Sequence, residues 1–218
     1  MRTQYDEQLR ALGQSLLDMG SGIEQAIRHA TNALEKKDAS EAVQAIEADM
    51  VIDQAERDIE AMCLKLLLHQ QPVASDLRFV SAALKMITDM ERIGDQAADI
   101  GELVSYLCRQ DKVPELPNLM QMAEKAIVMV NGALDAYVDK DLYLARKIIG
   151  MDDEVDDLFA AVKGELIEVI RSDHEAAHQA LDLMMIAKYY ERIGDHAQNI
   201  AEWVEYAMTG KHKGVYLT

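Results

Sequence analysis

Apolar residues recur at steps of three and four along most of the chain, and the pattern is clearest just before its midpoint. Between residues 75 and 110, the positions with this spacing are Val80, Ala83, Leu84, Ile87, Met90, Ile93, Ala97, Ile100 and Val104. Residues spaced in this way lie on one face of an α-helix. We therefore predict a helix that turns this face toward the protein core.

Short polar segments with Pro, Asp, Ser or Lys interrupt the helical pattern at five places. The longest, residues 111–117, contains two of the three prolines and falls near the middle of the chain. Such segments are typical of helix ends and connections. Between them we predict six helices, at residues 6–36, 40–69, 75–110, 117–138, 141–171 and 174–209.

The two halves of the chain are related by an internal repeat. Residues 91–104 are identical to residues 191–204 at 9 of 14 positions, an offset of 100, whereas the second helices align at an offset of 103. The change of offset falls in loops, where a length change does not rotate a buried helix face. We predict an all-α fold of two tandem three-helix bundles, at residues 1–112 and 113–218.

Composition supports helices and excludes several classes of protein. With 3 Pro, 11 Gly and 11 aromatic residues, the chain lacks the turn and β-forming residues of an all-β protein. The net charge of −17 repels phosphate backbones and anionic lipid heads, so we expect no nucleic-acid partner. No apolar run reaches the roughly 20 residues that span a bilayer. The two cysteines are too few for a disulfide framework and have no C-x-x-C spacing. We predict a cytoplasmic protein with no membrane insertion.

Four pairs of acidic residues are the candidate chemistry of the chain. Each pair is spaced i, i+4, which places both carboxylates on one helix face with Cβ atoms about 5–6 Å apart. The pairs lie in the second and third helices of both units and consist of Asp49 and Asp53, Glu91 and Asp95, Asp152 and Asp156, and Glu191 and Asp195. If the second and third helices are neighbours, each unit brings two acidic pairs together. Asp99 and Glu102 extend the stripe in the first unit, and Asn199 and Glu202 do so in the second.

Two interpretations of these pairs differ in what offsets their mutual repulsion. In the first, Arg92 and Arg192 neutralise acids that form a solvated surface. In the second, the carboxylates bind hard cations such as magnesium, manganese, calcium or iron, which prefer oxygen ligands. The repetition of the pairs at matching positions favours metal binding. We interpret His174, His178 and His196 as surface residues or neighbours of the acids rather than as ligands.

The repeated motifs together resemble those of the PhoU family, the phosphate-transport accessory regulators of bacteria. The resemblance rests on the Glu-Arg-Ile-Gly-Asp segments at 91–95 and 191–195, on the Asp pairs in both second helices, and on Gln-Gln-Pro-Val-Ala-Ser-Asp-Leu-Arg at 70–78. It covers essentially the whole chain. Proteins of this family are tandem three-helix bundles, often dimeric, that carry multinuclear metal sites on acidic motifs.

The resemblance implies a function, partners and a set of metal ligands. The protein would act with the ATPase subunit of the phosphate ABC transporter and with a phosphate-sensing histidine kinase, as a homodimer, and would repress the phosphate-starvation response when phosphate is plentiful. Iron, zinc, manganese or magnesium would bind at Asp49, Asp53, Glu91, Asp95, Asp152, Asp156, Glu191 and Asp195. Arg78 and the 70–76 loop are candidate partner contacts, or simply the start of a helix.

Other classes of function remain open at the level of sequence. No phosphate-binding loop, dinucleotide loop, nucleophile elbow or Cys/His catalytic motif is found in the chain, so we predict that it is not an enzyme. A ferritin-like oxidase or metal store would need Glu-x-x-His pairs inside a four-helix core, and the repeated motifs have no His at that position. A metal-free helical scaffold is the remaining alternative.

Overall fold

The computed structural model of the protein describes residues 2–69, 74–110 and 113–217. Within these ranges the chain forms seven α-helices, one 3-10 turn and a two-stranded hairpin. The helices are α1 (Arg2–Lys36), α2 (Ala39–His69), α3 (Ala74–Leu107), α4 (Pro117–Asp139), α5 (Leu142–Ile149), α6 (Asp152–Ser172) and α7 (Ala177–Thr209). The turn is His174–Ala176, and the strands are β1 (Lys211–His212) and β2 (Val215–Tyr216).

The helices pack as two bundles that share one core. Helices α1, α2 and α3 contact one another, and α4, α5, α6 and α7 form the second bundle. Helix α3 also packs along α7, and α1 packs against α4. Of the nine apolar positions in the predicted stripe of α3, eight are buried and Leu84 is partly buried. The prediction of an all-α fold with two tandem bundles is therefore confirmed.

The first helix of each bundle ends in the same way. Lys37 and Lys140, which are 103 residues apart, both have a positive φ, of 53° and 56°. A left-handed residue stops a helix because the chain can no longer continue the α-helical turn. Asp38 and Asp141 then cap the next helix, and Asp141 accepts a hydrogen bond from the Leu144 backbone N–H at 3.0 Å. These two predicted breaks lie where the repeat places them.

The predicted fifth helix, 141–171, is wrong as a single helix, because α5 and α6 are separated by Gly150 and Met151. Both residues have ψ near zero, at −9° and −14°, and the Met151 N–H bonds the Ile148 carbonyl at 3.0 Å. The Gln198 side chain donates to the Ile149 carbonyl at 3.2 Å. Glycine is a poor helix former, and this side chain satisfies a carbonyl that the break releases.

The C-terminal hairpin was not predicted from the sequence. Its turn residues Lys213 and Gly214 have φ of 50° and 78°, the two positive values that a tight hairpin turn requires. The hairpin folds back on α7, where the His212 ring stacks on the Trp203 ring with centroids 3.8 Å apart. Lys213 forms an ion pair with Glu202 at 3.0 Å.

Two of the predicted breaks fall partly on residues 70–73 and 111–112, which lie outside the described residues. The last predicted helix begins with the 3-10 turn and continues as α7. Among the helices described, none combines the length and the apolar character needed to cross a membrane.

Candidate functional site

The two Glu-Arg-Ile-Gly-Asp segments lie within α3 and α7, where these helices contact α2 and α6. Their glycines allow the close approach. A Cβ at Gly94 would lie 3.0 Å from Ile52 Cγ2, and a Cβ at Gly194 would lie 3.3 Å from Val155 Cγ1 and 3.6 Å from Asp152 Oδ1. Since Ile52 and Val155 are 103 residues apart, the two contacts are the same contact repeated. The acids that flank each glycine therefore face the acids of the neighbouring helix.

The first acidic ridge consists of Asp49, Asp53, Glu91 and Asp95, on α2 and α3. Burial raises the pKa of Asp49, and the charges of Asp53 and Asp95 raise it further. Burial likewise raises the pKa of Glu91, with added repulsion from Asp95 and Asp53. The Asp49 Oδ1 atom is buried and has no hydrogen-bond partner in the part of the chain that the structure describes. The structure thus brings the four predicted residues together at the cost of desolvation and repulsion.

The second acidic ridge consists of Asp152, Asp156, Glu191 and Asp195, on α6 and α7. Burial raises the pKa of Asp152 to about 6, and the charges of Asp195 and Asp156 contribute. Burial also raises the pKa of Asp195, which is repelled by Glu191 and Asp156. The second repeat therefore brings its four predicted residues together as the first does.

Basic side chains partly neutralise both ridges. Arg92 contacts Glu91 at 3.3 Å through Nε and Asp95 at 2.9 Å through Nη1. In the second repeat, among the described residues, Lys188 and not Arg192 makes the ion pair with Glu191. One arginine thus bridges both third-helix acids of the first ridge, whereas a lysine contacts one acid of the second ridge.

The oxygen donors of the two ridges are those that a hard cation prefers, but the carboxylates are not arranged around a common point. Among residues 2–69, 74–110 and 113–217, no three Asp, Glu, His or Cys side chains converge closely enough to hold a metal ion. The carboxylates nevertheless offer only oxygen donors, and the Asp49 Oδ1 atom lacks a hydrogen-bond partner among the described residues. Burial and like charges raise the pKa values of Asp49, Glu91, Asp152 and Asp195, so a nearby positive charge would offset the repulsion. A cation would have to displace Arg92 and Lys188 and draw the carboxylates together.

Asp99 and Asn199, which extend the predicted stripes, contribute to contacts between the repeats. Burial raises the pKa of Tyr189, and the nearby charge of Asp99 raises it further. Asn199 donates to Asp89 Oδ1 at 3.4 Å. The His196 Nδ1 atom lies 2.8 Å from the same oxygen. His196 therefore stands beside the second ridge and forms its contact with Asp89 of the first repeat.

Sequence reasoning missed Asp89, which receives these contacts from α7. It lies two residues before the repeated motif, and the repeat has tyrosine at the equivalent position 189. The only signal was this mismatch between the halves.

Other candidate residues have structural surroundings. His174 lies in the 3-10 turn and His178 at the start of α7, and both are exposed. Arg78, a candidate partner contact, donates from Nε to the Ala207 carbonyl at 3.3 Å. Most of the 70–76 loop lies outside the described residues.

The fold and the ridges define a duplicated all-α protein in which each half presents carboxylates from a pair of neighbouring helices. The family model for the PhoU domain matches the chain twice, at residues 16–104 and 119–204. The chain therefore belongs to the PhoU family, as its motifs predicted.

Relatives and solved structures agree over nearly the full length. The chain is 35% identical over 208 residues to the phosphate-specific transport system accessory protein PhoU homolog of Clostridium acetobutylicum, covering 95% of each chain. It is also 35% identical to the homolog of Pseudomonas aeruginosa, covering 95% of this chain and 86% of that protein. The crystal structure of PhoU from Pseudomonas aeruginosa superposes with a TM-score of 0.89 at 34% identity, covering 95% of this chain and 100% of that one. For the phosphate transport system regulatory protein PhoU from Streptococcus pneumoniae, the TM-score is 0.87 at 30% identity, with 95% and 98% covered.

Proposed function

We propose that this protein is an accessory regulator of phosphate-specific transport that represses the phosphate-starvation response when phosphate is plentiful. The observation that carries the proposal is its likeness, over 95% of the chain, to proteins named as accessory proteins of that transport system. In this proposal the protein is not an enzyme and acts by contact. Its partners are the ATPase subunit of the phosphate ABC transporter and a phosphate-sensing histidine kinase, and it works in the cytoplasm as a homodimer.

Deletion of the gene tests the regulatory role. We expect the deletion strain to produce alkaline phosphatase in phosphate-rich medium, because the repressor of the starvation response is missing. Re-expression of the wild-type chain should restore repression. Phosphatase output that is the same with and without the gene would contradict the proposal.

We also propose that the two acidic ridges bind multivalent cations, with iron, zinc, manganese and magnesium as candidates. The ligands are the eight carboxylates of the two ridges, and the bound ion would supply the positive charge that they lack. The raised pKa values and the unpartnered Asp49 Oδ1 atom support this proposal. Each ridge supplies four carboxylates, which a bound cation would draw together.

Elemental analysis of protein purified without added metal tests the cation proposal. We expect the Glu191→Ala/Asp195→Ala variant to contain less metal than the wild type, because it loses two carboxylates of the second ridge. Asp157→Ala is a matched control, since Asp157 is an exposed acid of α6 outside the ridge. Equal and negligible metal in all three proteins would favour the metal-free scaffold.

The ferritin-like alternative has less support from the position of the acids. Its carboxylates would lie inside a four-helix core. Here the Asp53 and Asp95 side chains are 38% and 33% exposed, and the core between the helices is apolar. The ridges therefore lie at the surface of each bundle, where a cation could also attract an anion or a partner protein.

A further inference from the structure

Helix α2 exposes a line of large apolar side chains to solvent. We define the α2 stripe as Val43, Met50, Leu64 and Leu68, which are all exposed, with Met50 at 74% and Leu68 at 80%. At about 100° per residue, these four positions fall within about 60° around the helix axis and extend over about 38 Å, with Arg57 and Ala61 on the same face between Met50 and Leu64. Val51, 69% exposed, lies about 80° from Val43 around the helix axis, on the side of α2 that faces α1. Apolar side chains aligned on one helix face mark an interaction surface more often than isolated ones do.

The second repeat shows that the fold does not require this stripe. At the offset of 103, Val43, Met50, Val51 and Leu68 correspond to Arg146, Asp153, Glu154 and Arg171, and only Leu64 has an apolar counterpart, Ile167. These charged residues are ordinary surface side chains. Arg146 pairs with Glu205 at 2.8 Å, Arg171 with Glu168 at 2.8 Å, and Glu154 with Lys125. Three of the five equivalent positions are thus ion-paired in the second repeat, whereas all five are apolar in the first.

A shallow groove between α1 and α2 adjoins the stripe. Its volume is about 290 Å³, and its lining includes Met19, Val51 and Met62. Asp18 and Asp58 stand among the lining residues. The groove can therefore accept an apolar side chain from a partner while its acids contact a cationic group on the same partner.

The negative charge around the stripe favours a positively charged partner. Helix α2 carries seven Asp or Glu residues and two Lys or Arg residues. On the helical wheel, Glu47 and Asp58 lie on one side of the stripe together with Lys65, and Asp53 and Glu60 lie on the other. Arg57 lies within the stripe and pairs with Asp53 at 3.8 Å, so acids still outnumber bases around it. A second copy of this chain would bring the same acids together and would be repelled. The homodimer proposed above would therefore use another surface.

We propose that the α2 stripe and its groove dock a partner protein through a basic, amphipathic helical segment. Apolar side chains of that segment cover Met50 and Leu68, one of them enters the groove beside Val51, and its Lys and Arg side chains contact Asp58 and Glu60. The proposal rests on the regulatory function, because it names the kind of partner surface that a regulator acting by contact would meet.

Photocrosslinking in cells tests what covers the stripe. A photoreactive amino acid replaces Met50 in one strain and the equivalent Asp153 in a control strain, and mass spectrometry identifies the crosslinked segment. We expect an adduct at position 50, with a segment in which Lys and Arg outnumber Asp and Glu, and none at position 153. An adduct with a second copy of the chain, with an acidic segment or with lipid, or no adduct at position 50, would overturn the proposal.

Binding of the crosslinked segment, made as a fluorescent peptide, provides the second measurement. We expect Met50→Asp/Val51→Glu, whose acids resemble those of the second repeat, to weaken binding at least tenfold, with an unchanged thermal midpoint because both side chains are exposed. Ile167→Asp is the matched control and should bind as the wild type does. Added salt should weaken binding, since the charges at the rim are exposed. Equal affinity of the double variant and the wild type, or affinity that salt leaves unchanged, would refute the proposal.

The two proposals can fail separately. If deletion of the gene leaves alkaline phosphatase unchanged, the regulatory function fails, while crosslinking and peptide binding still measure docking. If deletion induces the phosphatase but the double variant binds the peptide as the wild type does, only the docking proposal fails.

Discussion

Replacing Asp152 by Asn should stabilise the metal-free protein, although it removes a residue of the second acidic ridge. The pKa of Asp152 is raised to about 6 from the ordinary value of 3.8, chiefly by burial. Because the folded protein holds this proton more tightly than the unfolded chain does, the ionised carboxylate destabilises the fold. The penalty is absent below about pH 4, grows as the pH rises to about 6, and is complete above that value.

The size of the effect follows from the shift of about two pKa units. In full, such a shift corresponds to about 3 kcal/mol. The Asp152 side chain is only partly buried, so solvent screens its charge and we expect about 1 kcal/mol. For a chain of this length, 1 kcal/mol moves the thermal midpoint by about 2–4 °C. Asn keeps the shape of the side chain without its charge, so the gain should appear at neutral pH and vanish near pH 4.

Thermal unfolding followed by circular dichroism, in chelator and at several pH values between about 4 and 7.5, measures this difference. Asp157→Asn is the control, because it removes an exposed carboxylate of the same helix. Manganese should then raise the midpoint of the wild type more than that of Asp152→Asn, since a ligand stabilises the state that binds it. A lower midpoint for Asp152→Asn at neutral pH in chelator, or a difference that does not change with pH, would refute the reasoning.

Two further predictions concern packing and are measured by chemical denaturation. A Cβ at Gly101 would lie 2.9 Å from the Ala42 carbonyl oxygen, whereas a Cβ at Gly164 meets nothing within 4 Å. We expect Gly101→Ala to lower the free energy of unfolding by about 1–2 kcal/mol. Gly164→Ala should raise it by up to about 1 kcal/mol. Changes of the same sign in the two variants would contradict this expectation. Tyr190→Phe removes the buried hydrogen bond, 2.8 Å long, between Tyr190 and Thr31 and should cost about 1 kcal/mol, so an unchanged stability would count against that role.

Helices and acidic ridges were predictable from the sequence because both depend on local spacing. The apolar stripe of α3 follows directly from a period of about 3.6 residues. The acidic pairs follow from the same geometry, and the repeat showed which pairs correspond. The predicted helix ends at Lys37 and Lys140 needed only the breaks that the two halves share.

The remaining features depend on contacts between distant segments. Gly150 alone does not break a helix, since glycine costs only about 1 kcal/mol relative to alanine; the break in the structure also involves Gln198 from α7. The pairing of Asp89 with His196 joins residues 107 apart in the chain. Lys188, one turn before Arg192, forms the ion pair with Glu191 that the surface interpretation of the acids assigned to Arg192.

The polar contacts between α3 and α7 make the two halves of the chain non-interchangeable. Asp89 meets His196 and Asn199, whereas its counterpart Tyr189 meets Asp99. If the first half were paired with a second copy of itself, Asp89 would face Asp99, and two carboxylates would meet at the interface. The duplicated halves have thus become complementary, and the first half, expressed alone, would meet this repulsion if it associated with itself.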